Sequence, residues 1–548
     1  MHMSNTAQRV SVFATALLAV VAVAFTATRV ISGDATPPGT SEKADVAAAD
    51  GHYFKVQEVK SSGTVNAAGT SVSYDAIAGT LVVHPKDWDD VPNVDKDKKD
   101  EAASPEASMF YVAYFKKGAR PDQRPVTFLF NGGPGSATVW LHMGAFGPKR
   151  IVTADDSHQP AAPYEVVNNT ASLLDVSDLV FIDAPGAGFS RIAGKEKEKA
   201  FYGVDQDGHA FAEFILQFLS KYGRWNSPKY LFGESYGTTR AAVLSNLLET
   251  EHDVDLNGVI MLSQILNFDL SVDGPEFNPG VGLPYQVALP TYAASAWYHK
   301  KLPKGAPTDL HALLKEVQHY AMTDYGMALS AGAALTEKQR RAVAEKLHRY
   351  TGLPVSYILK ADLRINGGVF EKNLQDDADM TTGRLDTRFS GPSMDPLSKE
   401  ADYDPQSAAI SSAYVSAFND YVRKDLHYGA GVAFKPSIPA YRFWDFKHQP
   451  PGVPFALQQS TNVMVDLATA MKYNPNLKVH LHAGYYDLAT PFYEGVYEMR
   501  QLPIPKALQK NISFSFYESG HMIYAHEDSL KALHDNTADF IRQTSNVK

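Results

Sequence analysis

The chain has 548 residues, of which 44% are hydrophobic and 20% are charged, a composition that excludes wholesale disorder and a multi-span membrane protein. Its formal net charge of −10 argues against a nucleic-acid partner, because proteins that bind phosphate backbones cluster Lys and Arg. The absence of cysteine excludes thiol nucleophiles, cysteine-based zinc sites and disulfides. The length predicts one large domain with an insertion, or two domains.

The N-terminal residues predict export. An apolar run at residues 10–25 follows Arg9 and contains Ala22–Ala24, a small-residue cleavage site. We predict a signal peptide over residues 1–27 and a disordered tether, rich in Ala, Thr, Ser, Gly and Pro, over residues 28–50. The apolar run falls short of the ~20 residues that cross a bilayer comfortably. A secreted or periplasmic protein without a stable span is therefore expected, with an N-terminal membrane anchor as the alternative.

Two kinds of strand pattern follow. Residues 52–85 alternate apolar and polar side chains between glycines, which predicts antiparallel strands. Further along, short and nearly all-apolar runs alternate with helical stretches, which indicates a mostly parallel sheet covered on both faces. These runs are Phe110–Phe115, Val126–Phe130, Leu179–Ile182, Tyr230–Phe232, Val259–Leu262 and Val479–Leu481. The predicted fold class is α/β.

The alternation of strands and helices is interrupted in the second half of the chain. Helical patterns appear there instead, notably at residues 309–322 and 337–350. We interpret residues 267–442 as a helical cap inserted into the α/β core, which would then comprise residues 51–266 and 443–548.

Ser235 lies in a G-x-S-x-G sequence, Gly233–Gly237, between an apolar strand pattern and the helical pattern of residues 240–248. Such a serine sits on a strained strand-to-helix turn, and the glycines let the backbone bend without Cβ clashes. The motif alone would also fit an ordinary loop. Its setting predicts that Ser235 is a catalytic nucleophile.

A serine hydroxyl needs a histidine base that is oriented by a carboxylate, and this arrangement supplies both partners C-terminal to the serine, the carboxylate first. Asp487 follows the strand pattern of residues 478–483, and His521 follows that of residues 513–517. Both should lie at the carboxyl end of the sheet, where active sites are built. We predict Ser235, Asp487 and His521 as a catalytic triad.

Other histidines lie close to these two residues in sequence. His480 and His482 fall inside the predicted strand, and His526 is expected in the helix that follows His521. No H-E-x-x-H or comparable ligand spacing occurs among them. We therefore predict no metal and no cofactor.

A glycine-rich segment follows the strand pattern of residues 126–130. Such a segment lets the backbone approach a ligand, and acyl transfer needs N–H donors aimed at the developing oxyanion. The N–H groups of Gly133 and Tyr236 are the predicted oxyanion pair. A tight turn without a ligand is the alternative, whereas a phosphate loop is disfavoured because no Lys-Ser or Lys-Thr follows the glycines.

Four motifs, in this order, resemble those of the serine carboxypeptidase family of the α/β-hydrolase fold. They are Asn131–Ser136 (NGGPGS), Asp183–Ser190 (DAPGAGFS), Gly233–Tyr236 (GESY) and Gly520–Met522 (GHM). The similarity covers about residues 108–265 and 478–540. It implies an α/β-hydrolase fold with a variable cap, and hydrolysis of a C-terminal peptide bond through an acyl-enzyme.

The resemblance also implies that Asn131 and Glu234 bind the free C-terminal carboxylate of a peptide substrate, with Glu234 working best when protonated. The family's second glutamate stands two residues before a Gly-Pro pair, and Ala145 occupies that position here. Because a close carboxylate pair shares a proton, Glu234 is expected to be harder to protonate without that partner. The missing cysteines also depart from many members and indicate a divergent, bacterial branch.

These observations predict a serine-type carboxypeptidase that acts on peptides. The departure at Ala145 supports an alternative, in which the same triad serves an esterase, an acyltransferase or a prolyl-aminopeptidase-like exopeptidase. A catalytically inactive binding protein of the same fold is disfavoured by the intact Ser235, Asp487 and His521 set.

Overall fold

The computed structural model describes residues 52–86, 88, 104–457 and 460–547. The predicted signal peptide, residues 1–27, and the predicted tether, residues 28–50, lie outside the described residues. Within the described ranges, no helix is both long and apolar enough to cross a membrane.

A large mixed sheet forms the centre of the protein. The strands of the described residues are β1 (Glu58–Ala67), β2 (Thr70–Val83), β3 (Glu106–Lys116), β4 (Val126–Phe130), β5 (Lys149–Ile151), β6 (Val166–Asn168), β7 (Asp178–Ile182), β8 (Arg191–Ala193), β9 (Lys229–Glu234), β10 (Gly258–Leu262), β11 (Met380–Thr382), β12 (Ser390–Pro392), β13 (Lys478–Gly484) and β14 (Ile512–Tyr517). Ten of them form one sheet in the order β1-β2-β3-β7-β4-β9-β10-β13-β14, with β8 beside β3. The remaining four strands form two short hairpin-like pairs, β5 with β6 and β11 with β12.

The central strands combine full burial with parallel pairing. The strands β4, β7, β9 and β10 are buried along their whole length, as expected for parallel strands covered on both faces, and they pair in parallel. Strand β1 alternates exposed with more buried residues and pairs antiparallel with β2. The predicted α/β-hydrolase fold with N-terminal antiparallel strands is confirmed.

One apolar run differs from the expected direction. Residues 110–115 lie in β3, which pairs antiparallel with both β2 and β7. The strand lies in the interior of the sheet, so both of its faces are buried and its sequence is continuous in apolar residues whatever its direction.

Helices cover the sheet and fill the segment between β10 and β13. The α-helices of the described residues are α1 (Lys197–Phe201), α2 (Val204–Lys221), α3 (Tyr236–Thr250), α4 (Leu283–Tyr298), α5 (Leu310–Tyr320), α6 (Gly326–Ala331), α7 (Glu337–Thr351), α8 (Val355–Lys360), α9 (Gly367–Asn373), α10 (Pro405–Lys424), α11 (Met464–Tyr473), α12 (Phe492–Gln501), α13 (Lys506–Gln509) and α14 (Glu527–Thr544). Helices α2 and α11 pack on α3, and α14 packs on β10 and β13.

The inserted helices have an apolar core of their own. Helix α4 packs on α5 and α7, and their contacts bury Tyr292, Leu313 and Leu347 in a cluster separate from the main core. The last inserted helix, α10, instead packs into the main core through residues such as Phe418. Helices α4 and α5 also contact β13 and α12 through a third apolar cluster, so the insertion packs on the sheet domain at both of its ends.

Candidate active site

Ser235 occupies a strained turn between β9 and α3. Its φ and ψ are 61° and −132°, a region that non-glycine residues rarely adopt. The turn is held by a bond from Ser235 N to Leu262 O (3.0 Å), at the end of the neighbouring strand β10. Gly237 permits the sharp bend, since a Cβ there would lie 2.7 Å from Phe130 O. Ser235 is half-buried between buried neighbours, at the carboxyl edge of the sheet.

Asp487 and His521 are joined beside this edge. His521 Nδ1 lies 2.9 Å from Asp487 Oδ2, and both side chains are buried. Thr490 fixes the carboxylate by donating its N–H to Oδ1 (3.0 Å) and its hydroxyl to Oδ2 (2.8 Å). Burial pulls the pKa of His521 down, but the charge and hydrogen bond of Asp487 outweigh it, so the pKa is raised above its ordinary value. Asp487 thus fixes the ring with Nδ1–H as donor and leaves Nε2 as the base.

The serine and histidine loops are tied to adjacent residues of one strand end. Leu262 O accepts the Ser235 N–H, and the hydroxyl of Ser263 donates to His521 O (2.8 Å). Among the described residues no hydrogen bond joins Ser235 Oγ to the ring of His521. Catalytic hydrogen bonds are often long in substrate-free structures and tighten when substrate binds.

A short segment of the insertion forms hydrogen bonds to two loops, the aspartate loop that carries Asp487 and the histidine loop that carries His521. We call residues 384–388 the clamp segment. It forms four bonds to these loops: Leu488 N to Arg384 O (3.0 Å), His521 N to Leu385 O (2.6 Å), Gly520 N to Asp386 Oδ2 (3.1 Å) and Thr387 N to Tyr486 O (2.9 Å). The clamp segment therefore fixes the spacing between Asp487 and His521.

A buried ion pair stiffens the clamp segment. Arg388 Nη2 donates to Asp386 Oδ2 at 2.7 Å, and its Nε donates to Oδ1 at 3.0 Å. Asp386 is fully buried, so this pairing compensates a carboxylate that also accepts the Gly520 N–H. The sequence showed no signal for this segment, because its contacts to residues 486–488 and 520–521 are all long-range.

Gly520→Ala is expected to lower kcat/KM by roughly tenfold with only a moderate loss of stability. An added Cβ would lie 2.5 Å from Asp386 Cγ and from Leu385 O, so the histidine loop must move away from the clamp segment. Small displacements of catalytic groups are costly, and overpacking typically costs about 1–3 kcal/mol of unfolding free energy. Kinetics and thermal melting measure both effects. Gly368→Ala, whose Cβ would meet only ordinary contacts with Glu400, is the control; equal activities of the two variants would contradict the role of the clamp segment.

The glycine loop lies directly against the nucleophile turn. A Cβ on Gly132 would lie 2.7 Å from Gly237 N and 2.8 Å from Glu234 O, so only glycine allows this approach. Gly133, the next residue, has a φ of +108° and is exposed. The N–H of Tyr236 is at the helix N-terminus, where the backbone donors have no intrahelical acceptor. The glycine loop therefore lies against the Ser235 turn, and the roles of Gly133 and Tyr236 as oxyanion donors stay a prediction.

Arg240 joins the glycine loop to helices α2 and α3. It donates from Nη1 to Asn131 O (2.7 Å) and from Nε to Asp207 Oδ2 (2.6 Å), and the ion pair is fully buried. Its guanidinium lies 4.3 Å from the centroid of Phe211. This residue was not singled out from the sequence. Its position one turn after Ser235 lets one side chain fix both the nucleophile helix and the glycine loop.

Asn131 and Glu234 meet in a buried polar cluster with Tyr524. Tyr524 OH lies 2.9 and 3.1 Å from the two carboxylate oxygens of Glu234, and the side chain of Asn131 is close enough to lower the pKa of Glu234. Asn131 Oδ1 accepts the N–H of Leu141 (3.1 Å), which turns the amide NH₂ towards the cluster. Burial raises the pKa of Glu234 to about 7, and the charge of His521 and these hydrogen bonds only partly offset it.

That Glu234 is harder to protonate than it would be beside a second carboxylate stays a prediction, but burial raises its pKa above the ordinary value without such a partner. Ala145 is buried in a turn of π-helix, Leu141–Phe146, and supplies no carboxylate. Desolvation alone is enough to favour the neutral form of Glu234. The ring of Tyr524 packs against Gly144, where an added Cβ would lie 2.6 Å from its Cε2. Tyr524, three residues after His521, is the partner that motif matching missed.

The competing histidines have other partners. His480 contacts Ser513 Oγ (2.6 Å) and Ser515 Oγ (3.0 Å), and His482 contacts Tyr517 OH (2.8 Å). Burial lowers the pKa of both rings. His526 Nδ1 lies 2.7 Å from Ser529 Oγ at the start of α14.

Residues 100–277 match the family model described as serine carboxypeptidase. The predicted resemblance to serine carboxypeptidases is confirmed. The matched residues include the glycine loop, the segment from Asp183 and the Ser235 turn, and they end at the beginning of the insertion. A comparison with curated protein sequences found no match.

One solved structure is similar enough to show the fold of this chain, and two others are less similar. Kex1(delta)p, a prohormone-processing carboxypeptidase from Saccharomyces cerevisiae, is 14% identical, with a TM-score of 0.52 over 86% of this chain and 93% of that one. VinJ is 14% identical, with a TM-score of 0.34 over 80% and 96% of the two chains. A proline iminopeptidase from Mycobacterium smegmatis is 12% identical, with a TM-score of 0.33 over 88% and 99%.

Proposed function

We propose that the protein is a serine carboxypeptidase that releases C-terminal residues from peptides, with Ser235, His521 and Asp487 as its triad. The observation that carries this proposal is the buried cluster of Asn131, Glu234 and Tyr524 beside the nucleophile turn. An esterase triad needs no such cluster. A substrate with a free carboxylate does need it.

The geometry supports a two-step acyl transfer. Ser235 Oγ attacks the carbonyl carbon of the last peptide bond while His521 Nε2 takes the hydroxyl proton, and Asp487 stabilises the imidazolium through Nδ1–H. The N–H groups of Gly133 and Tyr236 stabilise the oxyanion. Collapse of the intermediate breaks the C–N bond, and His521 gives its proton to the leaving amine. Water then repeats the sequence on the acyl-enzyme, which releases the shortened peptide and restores Ser235.

The carboxylate of the leaving residue is held by neutral donors. In its protonated form Glu234 can donate its O–H to a substrate carboxylate, whereas its ionised form would repel one. The Asn131 NH₂ supplies a second donor. The hydroxyl of Tyr524 lies within hydrogen-bonding distance of both buried oxygens of Glu234. From that position Tyr524 can donate either to Glu234 or to the substrate. Tyr524 thus supplies a hydrogen-bonding partner for Glu234 without adding negative charge, although its hydrogen bond, unlike a second carboxylate, lowers the pKa of Glu234.

Blocked dipeptides with a free C-terminal acid should be cleaved roughly tenfold or more faster, in kcat/KM, than the matching amides at pH 5.5. A hydrogen bond to a charged group contributes about 1.5–3 kcal/mol, and the amide forfeits that interaction. Tyr524→Phe should reduce the preference for the acid while labelling of Ser235 persists. Tyr414→Phe is the matched control, since Tyr414 also packs beside Gly144.

Equal rates on acid and amide would contradict carboxypeptidase activity and favour the esterase, acyltransferase or prolyl-aminopeptidase-like alternatives.

The domain division at residues 267–442 is also our proposal, supported by the separate apolar core around Tyr292. Export to the periplasm or the medium is proposed from the N-terminal sequence.

A further inference from the structure

Three metal-ligand side chains converge far from Ser235 in sequence, at the edge where β2 ends and β3 begins. His52 Nδ1 lies 2.6 Å from Glu106 Oε1, and His84 Nε2 lies 3.8 Å from the same oxygen. All three ligand atoms lie within 4.8 Å of one another. Glu106 is almost fully buried, whereas His52 is half-exposed and opens the cluster to solvent.

The ring of His84 is held in a fixed orientation. Its Nδ1 lies 3.0 Å from Glu213 Oε1, and the other oxygen of Glu213 accepts the backbone N–H of His84 at 2.6 Å. The indole of Trp88 stacks on the imidazole, with ring centroids 3.6 Å apart. A carboxylate on Nδ1 selects the tautomer with Nδ1–H and therefore leaves a lone pair on Nε2.

His84 Nε2 is buried and has no hydrogen-bond partner in the part of the chain that the structure describes. The side chain is only 10% exposed, so water does not readily satisfy this nitrogen. A buried polar atom without a partner requires an explanation such as an ion. The carboxylate–histidine pair with a free Nε2 is also the arrangement that orients metal-binding histidines.

The side chain of Glu106 is also held in a fixed orientation by hydrogen bonds. Its Oε2 accepts the backbone N–H groups of Tyr53 (2.9 Å) and Phe54 (3.3 Å), so Oε1 is the oxygen that faces both histidines. His52 Nδ1 and His84 Nε2 lie 2.6 and 3.8 Å from this oxygen, so one divalent cation placed between them would contact all three ligand atoms.

We propose that His52 Nδ1, His84 Nε2 and Glu106 Oε1 bind one Zn²⁺ ion, with water in the fourth position. Two imidazoles and one carboxylate suit zinc, which takes four ligands at about 2.0–2.2 Å. The ion would fasten residues 52–54 to the ends of β2 and β3, and through Glu213 to α2. This proposal departs from the prediction of no metal made from the sequence, because the three ligands lie far apart in the chain and follow no spacing motif.

Zinc content of the purified full chain tests the site. After removal of metal by a chelator, dialysis against Zn²⁺ and then against zinc-free buffer, we expect about one zinc per chain by elemental mass spectrometry. His52→Ala and His84→Ala should lose it, and Glu213→Gln should weaken affinity by about tenfold, as for other residues that orient metal ligands. His52 is half-exposed, so its replacement tests binding without disturbing the core.

Zinc should also raise the melting temperature of the wild-type chain, because a ligand that binds only the folded state stabilises it. His158→Ala is the control, since His158 is exposed and contacts only Gln159 O. Substoichiometric zinc in the wild-type chain, or zinc retained by both His52→Ala and His84→Ala, would overturn the proposal. Fluorophosphonate labelling of Ser235 should persist in the metal-free chain, which separates this test from that of the hydrolase.

Discussion

Ser235→Ala should abolish covalent labelling by a fluorophosphonate and lower kcat by about 10⁵-fold or more, as loss of the nucleophile does in other serine hydrolases. The hydroxyl of Ser235 is carried by the strained turn at the carboxyl edge of the sheet, against which the glycine loop packs. Replacing it removes the acyl-enzyme. The remaining groups still bind substrate and polarise the carbonyl, so a small residual rate is expected.

Labelling and steady-state kinetics on a blocked dipeptide acid measure this effect. Ser245→Ala is the control, since Ser245 lies within helix α3, which begins directly after Ser235, and its buried hydroxyl donates to Ala241 O (2.6 Å). It should label as the wild type does. Undiminished labelling of a folded Ser235→Ala chain would place the nucleophile elsewhere and remove the triad assignment.

The kcat/KM for a free-acid peptide should fall by about 30-fold between pH 5.5 and pH 8.5. This figure is the fall that remains after correction for the increase in kcat/KM that deprotonation of His521 causes. The neutral form of Glu234 is present below its pKa of about 7 and is lost as the pH rises through it. The titration of His521 has the opposite effect on kcat/KM. Its pKa is raised by Asp487, so the free base is gained as the pH rises. A bell-shaped profile follows.

The ascending and descending limbs of the pH profile can be distinguished by a substitution at Glu234 and by the choice of substrate. Glu234→Gln keeps an uncharged donor at all pH values, so its profile should lose the descending limb and keep the ascending limb of His521. An ester or amide substrate without a carboxylate should also lack the descending limb in the wild-type enzyme. The same descending limb in Glu234→Gln would show that another group titrates.

The triad positions could be predicted because each depends on local sequence and one rule of sheet geometry. Ser235 has its own strand-turn-helix signature, and Asp487 and His521 each follow a strand pattern. Neighbouring parallel strands β10, β13 and β14 then bring those strand ends together. The direction of β3 could not be predicted, because burial on both faces leaves the same apolar run in either direction.

The supporting residues could not be predicted in the same way. Arg240, Tyr524 and the clamp segment act through contacts between residues that lie tens to hundreds of positions apart. No periodicity marks such contacts. A partial signal existed only for Tyr524, as an aromatic residue close behind the GHM motif. The pKa of Glu234 likewise follows from burial, which motif comparison does not reveal.

The clamp segment limits how the insertion can be altered. Because its backbone carbonyls and Asp386 hold the loops of Asp487 and His521, an engineered enzyme that loses residues 384–388 with the rest of the insertion would also lose the spacing of its acid and base. Exchange of the insertion between related enzymes should therefore leave these five residues in place. Substrate selectivity is better redesigned at residues of helices α4 to α9 that pack among themselves, such as Tyr292 and Leu347, which lie outside the main core.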